Sequence, residues 1–213
     1  MSDSACKPEF STLNSVDEQA TSRAPLLPPP RFARMGAVND KERDMETGEG
    51  KLKIYCETSF WSYLVGGPTS DEKVARWQAL TRKWWEEIAP KCEIFVSQHM
   101  FDEAADGNIE KARARLNLIS RAMVVEGRSA ATRILANELH SAHAVPETQN
   151  TDALHIAAAA VNGLAVLLTW NCKHLANPVT LPKTIATVIK SGYSCPIIIT
   201  PEEFLARREE FSL

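Results

Sequence analysis

From residue 51 onward, short apolar runs alternate with longer amphipathic stretches, a pattern that predicts a parallel sheet covered by helices. Leu52 to Cys56, Glu93 to Val96, Ala165 to Thr169 and Ile197 to Ile199 read as strands, with Met123 to Val125 as a fifth. Between the first two strands, Val74, Trp77, Thr81, Trp84 and Ile88 share one stripe of a helix over Asp71 to Ile88, and Arg76, Arg82, Lys83 and Glu87 surround the rest. Another helix begins near Gln98. Asn108 reads as the N-cap of Ile109 to Ser120, and Ser129 caps a helix reaching roughly His143. Thr151 precedes an apolar helix over Asp152 to Asn162 that Gly163 ends. The predicted fold class is α/β, with a parallel sheet of about four to five strands flanked by helices.

Composition narrows the function. The chain has 213 residues, 44% of them hydrophobic and 24% charged, the balance of a globular protein. Its longest apolar stretch, Ala157 to Leu168, is interrupted by Asn162 and Gly163, so no membrane span is expected. The net charge of −3 comes entirely from residues 1–50, which hold nine acidic and six basic side chains; residues 51–213 balance at 18 of each. The first segment also holds five of the twelve prolines, including Leu26-Leu27-Pro28-Pro29-Pro30, and reads as a disordered Pro-rich extension ahead of one domain over 51–213. With no global positive field, any polyanion must be held locally. Five cysteines without C-x-x-C spacing, and no apolar signal segment near Met1, point to a reducing, cytoplasmic setting.

The chemistry sits where an open α/β sheet keeps its ligands, at the carboxyl ends of the strands. Glu57 follows the first strand directly, Glu103 comes seven residues after Val96, and Asp152 lies in the first turn of its helix. The fourth strand end, Leu168-Thr169-Trp170-Asn171, offers an amide. Alone, each acid has an ordinary structural use, Asp152 at a helix N-terminus above all. Yet these acids, 46 and 49 residues apart, all fall on one edge of the assembled sheet. Gathered carboxylates repel unless a cation neutralises them, and oxygen donors select hard ions such as Mg²⁺ or Mn²⁺, which suit phosphate hydrolysis.

Four segments carry a resemblance: Tyr55-Cys56-Glu57-Thr58-Ser59; Val96-Ser97 followed by Glu103; Thr151-Asp152-Ala153-Leu154-His155-Ile156-Ala157; and Thr169-Trp170-Asn171-Cys172-Lys173-His174. In this order and spacing, over roughly residues 52 to 205, the chain resembles the PIN-domain family, in particular the VapC-like toxins of bacterial toxin–antitoxin modules. The resemblance implies a PIN-like three-layer fold and a metal-dependent endoribonuclease, the toxin of a type II module. Glu57, Glu103 and Asp152 would ligate Mg²⁺ or Mn²⁺, with Asn171 as a weak ligand or water-positioning group. It also implies an RNA substrate, a small antitoxin partner and a homodimer. Two departures stand out: Glu57 replaces the usual Asp, and Asn171 replaces an acid. The alternative is a catalytically degenerate PIN-like domain that binds protein or RNA.

Other side chains admit two uses. His155, one helical turn after Asp152, is a second ligand, an acid near the leaving group, or a packed core histidine. Asp102 and Asp106 are alternative acids or surface charges, and Thr58 and Ser59 contact the hydration shell or cap a helix over Phe60 to Leu64. Lys111, Arg113, Arg115 and Arg121, like Arg76, Arg82 and Lys83, are phosphate contacts or a solvated face. The five tryptophans favour core packing over base stacking. Cys172 and His174 lack the further pair that zinc requires. No G-x-G-x-x-G, G-x-x-x-x-G-K-[ST] or G-x-S-x-G occurs, which removes dinucleotide, P-loop and serine-hydrolase chemistry.

Overall fold

The computed structural model of the protein describes residues 50–146 and 148–213. Among the described residues, five strands form one fully parallel sheet: β1 (Leu52–Cys56), β2 (Cys92–Ser97), β3 (Met123–Val125), β4 (Val166–Leu168) and β5 (Ile197–Ile199), in the spatial order β3-β2-β1-β4-β5. All five predicted strands are present. Central β1 pairs with β2 from Leu52↔Cys92 to Tyr55↔Phe95 and with β4 from Ile54↔Val166 to Cys56↔Leu168. Its residues Ile54, Tyr55 and Cys56 are fully buried, as a strand covered on both faces requires. Edge strands β3 and β5 expose Met123, Val124 and Ile197.

The helices are α1 (Thr58–Leu64), α2 (Glu72–Glu87), α3 (Gln98–Ala105), α4 (Ile109–Ile119), α5 (Ala130–Ser141), α6 (Asn150–Val161), α7 (Leu181–Lys190) and α8 (Pro201–Ala206). Parallel crossovers are right-handed, so connections running from β1 toward β3 and those running from β3 or β4 toward β5 must lie on opposite faces. The packing agrees: α1 touches α2, α3 and α4, whereas α5 touches α6 and α7. Hence there are three layers. The chain leaves β1 in one direction and its neighbour β4 in the other, so the topological switch point, where such sheets open a crevice, lies beyond Cys56 and Leu168.

Local signals explain most boundaries. Asp71 caps α2 by accepting from the Val74 N–H, Asn108 caps α4 through the Lys111 N–H, and Ser129 caps α5 through the Thr132 N–H. Thr151 is not the cap of α6: that helix starts at Asn150, with Gln149 as its N-cap and no side-chain capping bond. Gly163 ends it at φ 64°, a left-handed conformation that glycine adopts without a Cβ penalty. α6 buries Ala153, Ile156 and the run Ala157 to Ala160, and these small side chains bring its backbone close to the sheet. Tryptophan serves the core, with Trp61 and Trp84 fully buried and Trp170 nearly so. The sequence reading did not anticipate α7 or α8. Among the described residues no helix is long and apolar enough to cross a membrane. The Pro-rich extension expected over residues 1–50 falls, apart from Gly50, outside the described residues.

Candidate active site

The crevice at the switch point is assembled from β1, α1, α3, α6 and the turn after β4. Glu57 is the residue between β1 and α1 and caps that helix, where Thr58 or Ser59 was expected to do so. It is 4% exposed, and its carboxylate accepts from the Ser59 N–H at 2.9 Å and from the Ser59 hydroxyl. That hydroxyl in turn accepts from the Trp170 N–H at 2.7 Å, tying the end of β4 to the start of α1.

Asp152, 7% exposed in the first turn of α6, has one partner among the described residues. Its Oδ1 accepts from Asn171 Nδ2 at 3.0 Å, whereas Oδ2 is buried with no hydrogen-bond partner among them. Burial pushes its pKa up, and the charge of Glu57 pushes it further, against the opposing effects of His155, His174 and the Asn171 bond. Asn171 was expected to turn an amide oxygen to a cation or a water. Instead its Oδ1 accepts from the His174 N–H at 3.2 Å, closing the turn after β4, and its NH₂ faces Asp152. Asn171 therefore serves as a donor that orients the acid.

Glu103, on the second turn of α3, is differently placed. Its Oε2 accepts from Thr58 Oγ1 at 2.5 Å and from His155 Nε2 at 2.9 Å. Burial favours the neutral form, but the hydrogen bond and charge of His155, with smaller help from Thr58 and Thr151, hold its pKa down at about 2. His155 is buried, which disfavours its charge, yet Glu103 foremost and then Glu57 and Asp152 raise its pKa above the usual histidine value. All three predicted acids thus act on one point, and that point is an imidazole.

Glu57, Glu103 and Asp152 were expected to meet as a three-carboxylate metal cluster. Among the described residues no three His, Cys, Asp or Glu side chains are grouped so as to hold a metal ion. The reason is local: Glu57 is drawn to Ser59, and Glu103 to Thr58 and His155. The remaining donors still suit a hard cation, since Asp152 offers a buried, unpartnered carboxylate oxygen whose charge Glu57 opposes. Mg²⁺ is characteristically held by only one or two carboxylates, its other positions going to water or phosphate.

The other candidates separate cleanly. Asp102 pairs with Arg128 at 2.5 Å and is 71% exposed, so Glu103 is the acid that faces the crevice. Asp106 is an exposed C-cap. Arg76 pairs with Glu202, Arg82 donates to the Gly66 carbonyl, and Arg115 donates to the Ala104 carbonyl at 2.9 Å and that of Asp106 at 2.5 Å, so these three hold the fold together. Reasoning from sequence missed Tyr55, Ser97 and His99, which line up behind His155. Their one signal was a polar group at an otherwise apolar position, as in Ile54-Tyr55-Cys56.

Two solved structures are similar to this chain. VapC20 of Mycobacterium tuberculosis, a sarcin-ricin loop cleaving toxin, is 19% identical, with 59% of this chain and 95% of that chain covered at a TM-score of 0.45. VapBC2 from Rickettsia felis, bound to a DNA fragment from its promoter, is 15% identical, with 69% and 97% covered and a TM-score of 0.45. No protein-family model matches the sequence, and no curated protein does.

Proposed function

We propose that the protein is a divalent-metal-dependent endoribonuclease that hydrolyses RNA phosphodiester bonds, and that it acts in the cytoplasm as the toxin of a type II toxin–antitoxin module. The observation that carries this reading is the buried Asp152 Oδ2, without a partner and beside the charge of Glu57 at the switch point. Asp152 and Glu57 would hold Mg²⁺ or Mn²⁺, with Glu103 at the border of the site. Such an ion would supply polarisation of a phosphoryl oxygen and a lowered pKa of an attacking water. The chain's own residues do the rest. Asn171 donates to Asp152 and fixes its orientation, Ser59 holds Glu57 at the end of β1, and Thr58 and His155 fix Glu103. RNA, a small antitoxin and a second copy of the chain are the partners this reading expects, and the exposed Ile109 on α4 offers apolar surface to a protein partner.

A second reading, a degenerate module that binds without cutting, draws on the amide at Asn171 and on the neutralisation of Glu103 by His155. Incubating single-stranded RNA with the protein in Mn²⁺ or in EDTA separates the two. Cleavage in Mn²⁺ that falls at least ~100-fold in Asp152→Asn supports the nuclease, a loss of the size expected for a group acting on transition-state charge. Intact RNA at enzyme excess, with wild type and variant alike, supports the binding module.

A further inference from the structure

Behind Glu103 lies a buried polar chain of which the proposed chemistry uses His155 alone. Tyr55 from β1, Ser97 at the end of β2, His99 from α3 and His155 from α6 are 0%, 0%, 7% and 2% exposed. The Tyr55 hydroxyl lies 2.7 Å from Ser97 Oγ and 2.8 Å from His155 Nδ1. His99 Nε2 is 3.0 Å from His155 Nδ1, and His99 Nδ1 is 3.0 Å from Ser97 Oγ. We propose that these four side chains form a positioning relay for Glu103, pinning one oxygen of its carboxylate so that the other faces the hydration shell of the cation and the phosphate from the border of the site.

The directions follow from the groups themselves. An ionised carboxylate only accepts, so His155 Nε2 donates to Glu103, and the ring orientation is set. Nδ1 is then left facing Tyr55 and His99, whose own bonds end on Ser97. Thr58 and His155 both reach Oε2, and Oε1 accepts from neither. The backbone closes down on the relay at Gly127, where a Cβ would meet Ser97 Cβ at 2.7 Å and His99 Nδ1 at 3.0 Å. Replacing a buried polar network by apolar side chains of the same volume is often neutral or stabilising, and a satisfied network rigidifies the groups it joins, so bonds that tie four separate elements together point to placement. Outer-shell hydrogen-bond partners of a metal site typically change metal affinity or activity 10–100-fold. Tyr55, Ser97 and His99 make no hydrogen bond to any of the three acids, so they act through His155.

The relay rests on the nuclease reading, and the test keeps the two apart. Tyr55→Phe removes one hydroxyl and leaves the Ser97–His99 and His99–His155 contacts in place. The expected result is a ~10–100-fold fall in kcat on a short single-stranded RNA in Mn²⁺ with KM unchanged, and a fall in Mn²⁺ affinity by calorimetry within the same range. The metal-free melting temperature should stay within a few degrees. Ser97→Ala should shift the same quantities less and in the same direction, and it carries the comparison alone if Tyr55→Phe does not fold. Folded variants with wild-type kcat and Mn²⁺ affinity overturn the relay and leave the nuclease standing. Losses that merely follow a large drop in metal-free melting also overturn it, because they mark a structural role. A wild type that binds no Mn²⁺ and cuts no RNA overturns the nuclease reading and the relay with it.

Discussion

Glu103 and Asp152 line one crevice and are treated in opposite ways. Glu103 has two donors on one oxygen, Thr58 and the His155 imidazole, and its pKa sits at about 2. Asp152 has a single amide donor, a buried oxygen with no partner and a carboxylate for a neighbour, and its pKa is pushed up. Burial works against both charges, so burial alone cannot tell them apart. The difference lies in the extent of the compensation. The fold compensates Glu103 through α1 and α6, and compensates Asp152 only in part, through His155, His174 and the Asn171 amide. Under the proposed function, that asymmetry would make Asp152 the centre of cation binding and give Glu103 a bordering place.

The sharpest way to break the comparison is to neutralise each acid without changing its shape. Asp152→Asn should abolish Mn²⁺-dependent RNA cleavage, a loss of at least ~100-fold, and yet melt in EDTA at or a few degrees above the wild type, because it removes a poorly compensated buried charge. Saturating Mn²⁺ should raise the wild-type melting point, by about 2.7 kcal/mol of stability at a hundred times Kd, and leave Asp152→Asn unmoved. Glu103→Gln should go the other way. It strips a charged hydrogen bond from buried His155 and costs about 1.5–3 kcal/mol of metal-free stability, read by denaturant unfolding. Equal shifts in the two variants would dissolve the distinction.

The pH dependence sharpens the same contrast. Because the folded pKa of Glu103 is about 2, below its ordinary value of 4.5, its contribution is present above about pH 4.5 and is lost as pH falls toward 2. In EDTA, the stability gap between wild type and Glu103→Gln should therefore narrow over that interval, whereas Asp152, shifted upward, contributes in the opposite sense. A gap that stays constant down to pH 2 would show that Glu103 is not held as described.

How far this was legible in the sequence depends on the range of the interaction. The strands, the caps at Asn108 and Ser129, and the placing of Glu57, Glu103 and Asp152 near one sheet edge follow from local apolar runs and spacing. α7 and α8 were equally local and were overlooked: Leu181, Thr184, Ile185 and Val188 lie on one stripe, and Thr200 with Glu203 forms a capping box. The pairing of His155 with Glu103 was not readable, because it depends on side-chain directions from α3 and α6, 52 residues apart. Crowded acids called for a cation, and the sequence could not say that a buried histidine would meet part of that demand. Nor could it show that Asn171 spends its oxygen on the turn at His174 and so presents its NH₂.

The smallest expected effect tests the third acid. Glu57 is neither paired like Glu103 nor left bare like Asp152, since both of its oxygens rest on Ser59. The Ser59 hydroxyl also receives the Trp170 N–H, so it links the carboxyl ends of the two strands between which the crevice opens. Ser59→Ala deletes both hydroxyl contacts but keeps the backbone N–H that holds Glu57 as an N-cap. Stability should fall by about 1 kcal/mol, the usual net worth of such a bond, because the Trp170 N–H is left to find water. Cleavage should fall only a few-fold, since Glu57 keeps its position at the helix start. A loss as large as that of Asp152→Asn would instead make Ser59 a group acting on the substrate, and the crevice would then have a second working side chain at the end of β1.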